Sequence, residues 1–256
     1  MTFPIAADLR LSVVDLFTVR RDRRVVLGLV ALAAAVSTTE LAATKLFSEL
    51  ILPGAARTSG KTAILVVLFF AVFGGLRLVN YAREMYRLRV FERALTESGT
   101  TNAAGDSWRW AKANEVTSLL SAVSRVVVIT VAVVVLAPAF GIAVVIAVAL
   151  VGKALSMIFT RQLDTQREFR AMQKARTPAS NATRVRTRIR AGEIGSLIAY
   201  FAVVVLLGAL VVLTLQGVVE PGTAFVMFVA LRMMGQMLTD ISKGLVRYGR
   251  ARANSE

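Results

Sequence analysis

The chain has 256 residues, of which 56 % are hydrophobic, yet its formal net charge is +15. This combination is typical of a membrane protein with basic loops and argues against an ordinary soluble domain. The chain contains no Cys and no His, which excludes disulfides and Cys-based metal or redox sites and removes the commonest acid–base group.

Ahead of the first long apolar segment, residues 5–17 form an amphipathic pattern. Ile5, Leu9, Val13, Leu16 and Phe17 fall on one face of a helix. This pattern predicts an elbow helix that lies on the membrane surface, within a cytoplasmic segment of residues 1–24.

Six apolar segments follow, and a helix needs about 20 mostly apolar residues to cross a bilayer. The spans lie at about 25–52, 62–82, 116–136, 139–159, 194–215 and 222–242. Six such segments in so short a chain are not expected from the core of a soluble protein. We therefore predict an all-α membrane protein, with residues 1–256 forming a single transmembrane domain.

Lys and Arg concentrate in alternate connections between the spans. Five arginines precede span one, six basic residues lie between spans two and three, nine between spans four and five, and four after span six. The other connections hold only Arg57 and Lys61. Because cytoplasmic loops attract positive charge, both termini are predicted to be cytoplasmic, in a bacterial inner (plasma) membrane. RVRTRIR (184–190) is then a membrane-flanking segment, and no nucleic acid partner is expected.

Several helices are predicted to be longer than the bilayer is thick. Residues 62–97 contain no Pro and would extend about 54 Å as a helix, against about 30 Å of hydrocarbon. The extensions pair into cytoplasmic hairpins at about 83–115 and 160–193. GTTNAAGDS (99–107) and TPASNAT (177–183) are the predicted turns, with Asp106 or Ser107 capping the helix that follows the first turn.

The stretch AARTSGKT (55–62) fits the loose pattern of a phosphate-binding loop. Such a loop follows a buried strand and begins a helix. Here it follows a membrane helix interrupted at Pro53-Gly54, on the side predicted to be outside. We interpret it as a polar turn, so the sequence predicts no ATPase site, no catalytic residue, no cofactor and no metal.

Ionisable residues inside a span are costly and are the candidates for function. Arg232, Gln236 and Asp240 are spaced by four along span six and form one polar stripe. The stripe either contacts substrate, forms an internal ion pair or faces a partner subunit. Glu40, deep in span one, either lines an outward cavity or pairs with Arg232. A stripe of small residues on span one suits close helix packing: Gly28, Ala31, Ala35, Thr39 and Ala42.

Further ionisable residues lie towards the cytoplasmic side. Arg125 and Lys153, in the inner halves of spans three and four, are expected to snorkel towards the interface. Glu115 and Glu193 lie near the inner boundary among arginines and are expected to be structural counter-charges.

This arrangement resembles the transmembrane domain of ABC exporters over nearly the whole chain. The resemblance rests on the elbow before span one, the paired cytoplasmic extensions, the short APAFG turn between spans three and four, and the last segment. That segment, VVEPGTAFVMFVALRMMGQMLTDISKGLVRYGRARA, has a Gly-Thr start, a Phe-rich run and a basic end.

The resemblance implies that the hairpins end in short coupling helices at about 99–108 and 177–183, resting on ATPase domains. The residues it places in contact with a partner are Asp106, Trp108, Arg109, Thr177, Asn181 and Arg184. The chain departs from the family in two ways. No ATPase domain follows span six, and the second hairpin extends only about 25 Å from the membrane.

Three functions are open at this point. The first is a permease subunit that moves an amphipathic or lipid-like substrate, as a homodimer or heterodimer with a separately encoded ATPase. The second is a motor-less scaffold subunit of a larger membrane complex, whose arginines bind an acidic partner or anionic lipid. The third is a proton-driven transporter acting through Glu40 or Asp240, which the absence of His and the scarcity of buried acids disfavour.

Overall fold

The computed structural model describes residues 4–51, 59–96, 103–175, 177 and 180–255. Within these ranges the chain forms seven α-helices and no strand. They are α1 (Pro4–Leu16), α2 (Arg20–Ile51), α3 (Ser59–Thr96), α4 (Ala103–Leu136), α5 (Pro138–Lys174), α6 (Asn181–Leu215) and α7 (Pro221–Ser255). The six helices α2–α7 are long and apolar enough to cross a membrane. The described residues confirm the predicted all-helical fold, and these six helices support the prediction of a multi-pass membrane protein.

The bundle has two chemically different ends. One end, which we call the basic end, holds α1, the α3–α4 and α5–α6 connections and the C-terminal end of α7. We call the opposite end the short-loop end. The helix α3 has 38 residues and is therefore about 57 Å long, nearly twice the hydrocarbon thickness. The predicted extension of helices beyond the spans is confirmed in length.

The connection between α4 and α5 is as tight as the APAFG sequence predicts. Ala137 alone separates the helices, and its backbone N–H donates to the carbonyl of Val133 at 2.9 Å. Pro138 then starts α5, where its missing N–H costs nothing. A Cβ on Gly141 would lie 2.5 Å from the backbone Cα of Val134, so only glycine allows this approach.

Two helices begin earlier than the sequence pattern predicts. The helix α4 starts at Ala103, so the predicted caps Asp106 and Ser107 lie inside it, because the alanines before them favour helix. At the second turn, Ser180 caps α6, since its Oγ accepts a hydrogen bond from the Thr183 N–H at 3.1 Å. Residues 181–183 therefore belong to a helix rather than to the turn.

The helix α7 is the centre of the bundle, because it packs against α2, α4, α5 and α6. Half of the most apolar 18-residue stretch of α7 is buried inside the chain, against 6 % of the corresponding stretch of α3. The helix α3 packs mainly on α2 and only lightly on α4. The buried face of α7 repeats at helical spacing and includes Met227, Leu231, Met234, Leu238, Ile241, Leu245 and Tyr248.

The elbow helix α1 packs against protein through its apolar face. Leu9, Val13, Leu16 and Phe17 are buried, although the sequence pattern predicted that this face lies on the membrane surface. The Phe17 ring is 5.8 Å from the ring of Phe91 on α3. Contacts of α1 with α4 and α5 bury its apolar face in the bundle.

Candidate functional site

The predicted polar stripe lies on one exposed face of α7. Arg232, Gln236 and Asp240 are all exposed on this face, opposite the buried core residues. Arg232 lies about 16 Å along α7 from Pro221, which places it near the middle of a bilayer. Charged side chains at that depth require a polar or protein environment, so a partner, a water-filled cavity or a ligand must cover this face.

A second uncovered face lies on α2, which packs beside α7. The predicted small-residue stripe is turned away from the bundle: Gly28, Ala31, Ala35 and Ala42 are exposed, and Thr39 is half-buried. Small residues allow another helix to approach closely. Within this chain no described helix occupies that position.

Glu40 lies within electrostatic range of Arg125. The charged groups nearest Arg125 on α4 are Glu40 on α2, Arg83 and Glu84 on α3 and Asp240 on α7, all within electrostatic range of its guanidinium. We call these five residues, together with Arg87, the charge cluster. The sequence predicted that Arg125 snorkels towards the interface; in the structure Arg125 is half-buried.

Helix direction explains why these side chains converge. Cα–Cβ bonds tilt towards the N-terminus of a helix, and α2 and α4 start at the basic end. Glu40 and Arg125 therefore lean towards that end. The helices α3 and α7 run the opposite way, so Arg83 and Asp240 lean towards the short-loop end.

The α3 part of the charge cluster is held by two short ion pairs. Arg83 Nη2 lies 2.7 Å from Glu84 Oε1, and Arg87 Nη2 lies 2.8 Å from Glu84 Oε2. The Arg83 side chain is only 10 % exposed. One glutamate thus bridges two guanidinium groups, each by a charge-assisted hydrogen bond.

Three guanidinium nitrogens of the cluster are buried without a hydrogen-bond partner. They are Arg83 Nη1, Arg87 Nε and Arg125 Nε. Buried donors are nearly always paired, and each exception needs an explanation. The sequence signal for this cluster was Arg125, a lone arginine in the apolar run of span three. The sequence does not show which helices face it.

The elbow helix is tied to α7 and α4 by polar contacts. The Tyr248 hydroxyl lies 2.6 Å from Ser12 Oγ and donates to Asp8 Oδ2 at 3.1 Å. Arg252 also forms an ion pair with Asp8. Lys112 Nζ on α4 lies 3.0 Å from Asp15 Oδ2.

The two predicted counter-charges are paired at the same end of the bundle. Glu115 lies 2.9 Å from Arg247, and Glu193 lies 3.6 Å from Lys243. Both basic partners are on α7, so the basic end of α7 is bound electrostatically to α4 and α6. Lys153 on α5 is exposed, as a snorkelling side chain requires.

The residues predicted to contact a partner fall into two groups. Trp108 and Arg109 are half-buried on α4; the guanidinium of Arg250 lies 5.3 Å from the Trp108 ring centroid. Arg109 lines a cavity of about 460 Å³ between α1, α4 and α7. The side chain of Asp106 lies outside the described residues.

The second group lies at the α5–α6 hairpin. Thr177 and Asn181 are exposed, while Arg184 is half-buried with its guanidinium 5.9 Å from the Phe169 ring centroid. Among the predicted contact residues whose side chains the structure describes, the fully exposed ones lie on this hairpin. The tip of the α3–α4 hairpin, residues 97–102, is outside the described part of the chain.

The structure adds no evidence for the phosphate-loop pattern, and no metal site is found among the described residues. Residues 55–58 of AARTSGKT lie outside the described residues, and 59–62 begin α3. In the described ranges no three His, Cys, Asp or Glu residues are grouped so that they could hold a metal ion. No protein-family model and no characterised protein matches the chain, so its function is inferred from its own residues and contacts.

Proposed function

We propose that this chain is an ABC-exporter-like permease subunit that moves an amphipathic or lipid-like substrate, as a dimer coupled to an ATPase partner. The observation that carries this proposal is the exposed polar stripe of α7, which lies at mid-membrane depth beside the exposed small-residue face of α2. A lipid environment does not suit such a stripe. A second copy of the chain and a substrate cavity provide a suitable environment for it.

A second copy of the chain accounts for both uncovered faces. In a two-fold dimer whose axis runs along the bundle, each copy presents the same two helices to the other. The small residues of α2 permit close helix approach. The α7 stripes then line a space between the copies instead of facing lipid.

The residues along this face of α7 suit an amphipathic substrate. Phe225 and Phe228 are exposed towards the short-loop end, and Arg232 and Gln236 follow on the same face. The face thus offers an aromatic half and a polar half. Ligand sites of this kind combine apolar walls with a few orienting polar groups.

The long basic end supports coupling to an ATPase. We place it on the cytoplasmic side of a bacterial inner membrane, because positive charge marks cytoplasmic loops. The exposed residues of the α5–α6 hairpin, Thr177 and Asn181, would contact an ATPase domain there. The tip of the other hairpin would make the second contact.

The test is to extract the protein from its native membrane in mild detergent and identify what is bound to it by mass spectrometry. We expect an ATPase in stoichiometric amount. Substrate flux should fall in Arg232→Ala and stay unchanged in Arg161→Ala, which removes an exposed arginine from α5 outside the predicted span. A stable complex that contains no ATPase, together with unchanged flux in Arg232→Ala, would instead identify a scaffold subunit.

A further inference from the structure

We infer that the cavity beside the elbow helix binds the phosphate diester of an anionic membrane lipid, through Arg109 and Lys112 on α4. This cavity, which we call the elbow cavity, has a volume of about 460 Å³ and lies between α1, α4 and the C-terminal end of α7. Ligand sites in proteins commonly have volumes of about 300–1,000 Å³. The inference goes beyond the proposed permease function, because it applies equally to a permease and to a scaffold subunit in a membrane.

Two cationic side chains of α4 bring hydrogen-bond donors to the elbow cavity. Arg109 and Lys112 both line it, and residues three apart are neighbours on one side of a helix. Arg109 is half-buried and has no hydrogen bond or ion pair with any described residue. Lys112 is 8 % exposed, and its ammonium group has three N–H donors, of which one contacts Asp15 at 3.0 Å. The remaining donors of both side chains match the oxygens of a phosphate group.

The ionisable groups that line the elbow cavity leave one positive charge unbalanced. Asp8 is paired with Arg252. Asp15 is paired with Lys112. Arg109 is the third cation against two carboxylates, so the lining carries a net charge of +1. A monoanionic phosphate diester neutralises this charge, whereas a dianion would leave an excess negative charge, which is costly in a partly buried site.

The elbow helix also supplies an apolar surface that continues from the cavity. Its buried face packs in the bundle, but Ala7, Leu11 and Val14 recur at helical spacing on another face and are exposed. We call these three residues the apolar strip. Leu11 is 67 % exposed and also lines the elbow cavity. An amphipathic helix beside a membrane bundle turns such a face towards lipid.

A phospholipid matches the cavity and the apolar strip together. Its phosphate contacts Arg109 and Lys112, while its acyl chains leave the cavity past Leu11 and follow the apolar strip. A soluble anion satisfies the donors but leaves the strip uncovered. The continuity of the two surfaces at Leu11 therefore favours a lipid of the leaflet at the basic end.

The test is lipid binding to the purified full chain in dodecyl maltoside, measured by native mass spectrometry with phosphatidylglycerol as the probe. We expect the wild type to retain phosphatidylglycerol and Arg109→Gln to bind it at least about tenfold more weakly, because a charge-assisted contact is lost. Arg186→Gln is the matched control: it removes an exposed arginine from α6 at the same end of the bundle and should bind like the wild type.

Leu11→Ser is a second variant, which tests the apolar strip. It should also weaken phosphatidylglycerol binding, because it removes an apolar contact with the acyl chains. Both variants should elute like the wild type in size exclusion, since Arg109 has no polar partner among the described residues and Leu11 is exposed. Wild-type retention in Arg109→Gln would overturn the inference, and wild-type retention in Leu11→Ser would overturn the assignment to a lipid.

Two further ligands distinguish the source and the charge of the phosphate. We expect millimolar glycerophosphoglycerol, the soluble headgroup, not to displace phosphatidylglycerol, because the acyl chains contribute to binding. Displacement that depends on Arg109 would overturn the lipid assignment. Phosphatidylethanolamine has the same phosphate diester with an added ammonium group and should bind more weakly, because it leaves the charge of the cavity unbalanced. Equal retention of the two lipids would overturn the assignment to an anionic lipid.

Discussion

Gly195→Ala is predicted to destabilise the contact at which α5, α6 and α7 meet. A Cβ at Gly195 would overlap Ser242 Oγ on α7 and lie 2.9 Å from Leu155 Cδ2 on α5. Ser242 Oγ cannot move freely, because it donates to the carbonyl of Gly192 at 3.1 Å. One methyl group therefore strains two neighbouring helices and disturbs a buried hydrogen bond.

The expected magnitude follows from three opposing contributions. Overpacking costs about 1–3 kcal/mol, and disturbing the hydrogen bond costs about 1 kcal/mol. Replacing glycine by alanine in a helix returns about 0.5–1 kcal/mol. The net loss is about 2 kcal/mol, which lowers the melting temperature of a chain of this size by roughly 4–8 °C.

The assay is the melting temperature of the purified protein in detergent, followed by circular dichroism. Gly208→Ala, on the same helix, is the control, since nothing lies within 4 Å of a Cβ at that position. It should melt at the wild-type temperature or slightly above it. Adding Ser242→Ala to Gly195→Ala should restore part of the loss, because the contact with Leu155 remains. If Gly195→Ala melts no lower than Gly208→Ala, the packing argument is refuted.

Two further predictions concern the elbow and the polar stripe of α7. Tyr248→Phe removes the hydroxyl that lies within hydrogen-bonding distance of Ser12 and Asp8 and should lower the melting temperature by the equivalent of about 1–2 kcal/mol. Tyr200→Phe, at an exposed position, should not; equal effects would contradict the polar attachment of α1. Because the chain has no Cys, Gln236→Cys tests the dimer cleanly. A bis-maleimide reagent long enough to span the space between the two stripes should crosslink two copies, whereas a monomeric product would count against pairing through α7.

The sequence predicted the elements well because the signals for them are local. The elbow was expected over 5–17 and forms over Pro4–Leu16, and all six spans correspond to helices. Apolar runs and helical spacing are visible along the chain itself. The start of α4 was placed too late, because Asp106 and Ser107 looked like caps while the alanines before them extend the helix.

The partners of the charged residues could not be predicted in the same way. Glu40 was a candidate partner for Arg232, and Arg125 was expected to snorkel. The structure places Glu40 within electrostatic range of Arg125, a proximity that the sequence did not indicate. The sequence indicates the depth of a residue along its helix, but not the rotation of that helix about its axis, which sets the direction of the side chain.

The sequence alone determined the number of membrane helices, their lengths, the concentration of positive charge at one end and the polar stripe of α7. These depend on composition and period within single segments. The tertiary structure decided that the charge cluster forms at all, because Glu40, Arg83, Arg125 and Asp240 come from four helices. Their meeting depends on how α3 and α7 run against α2 and α4, and on the light packing of α3 against α4. Those are properties of the packed bundle, which no single segment encodes.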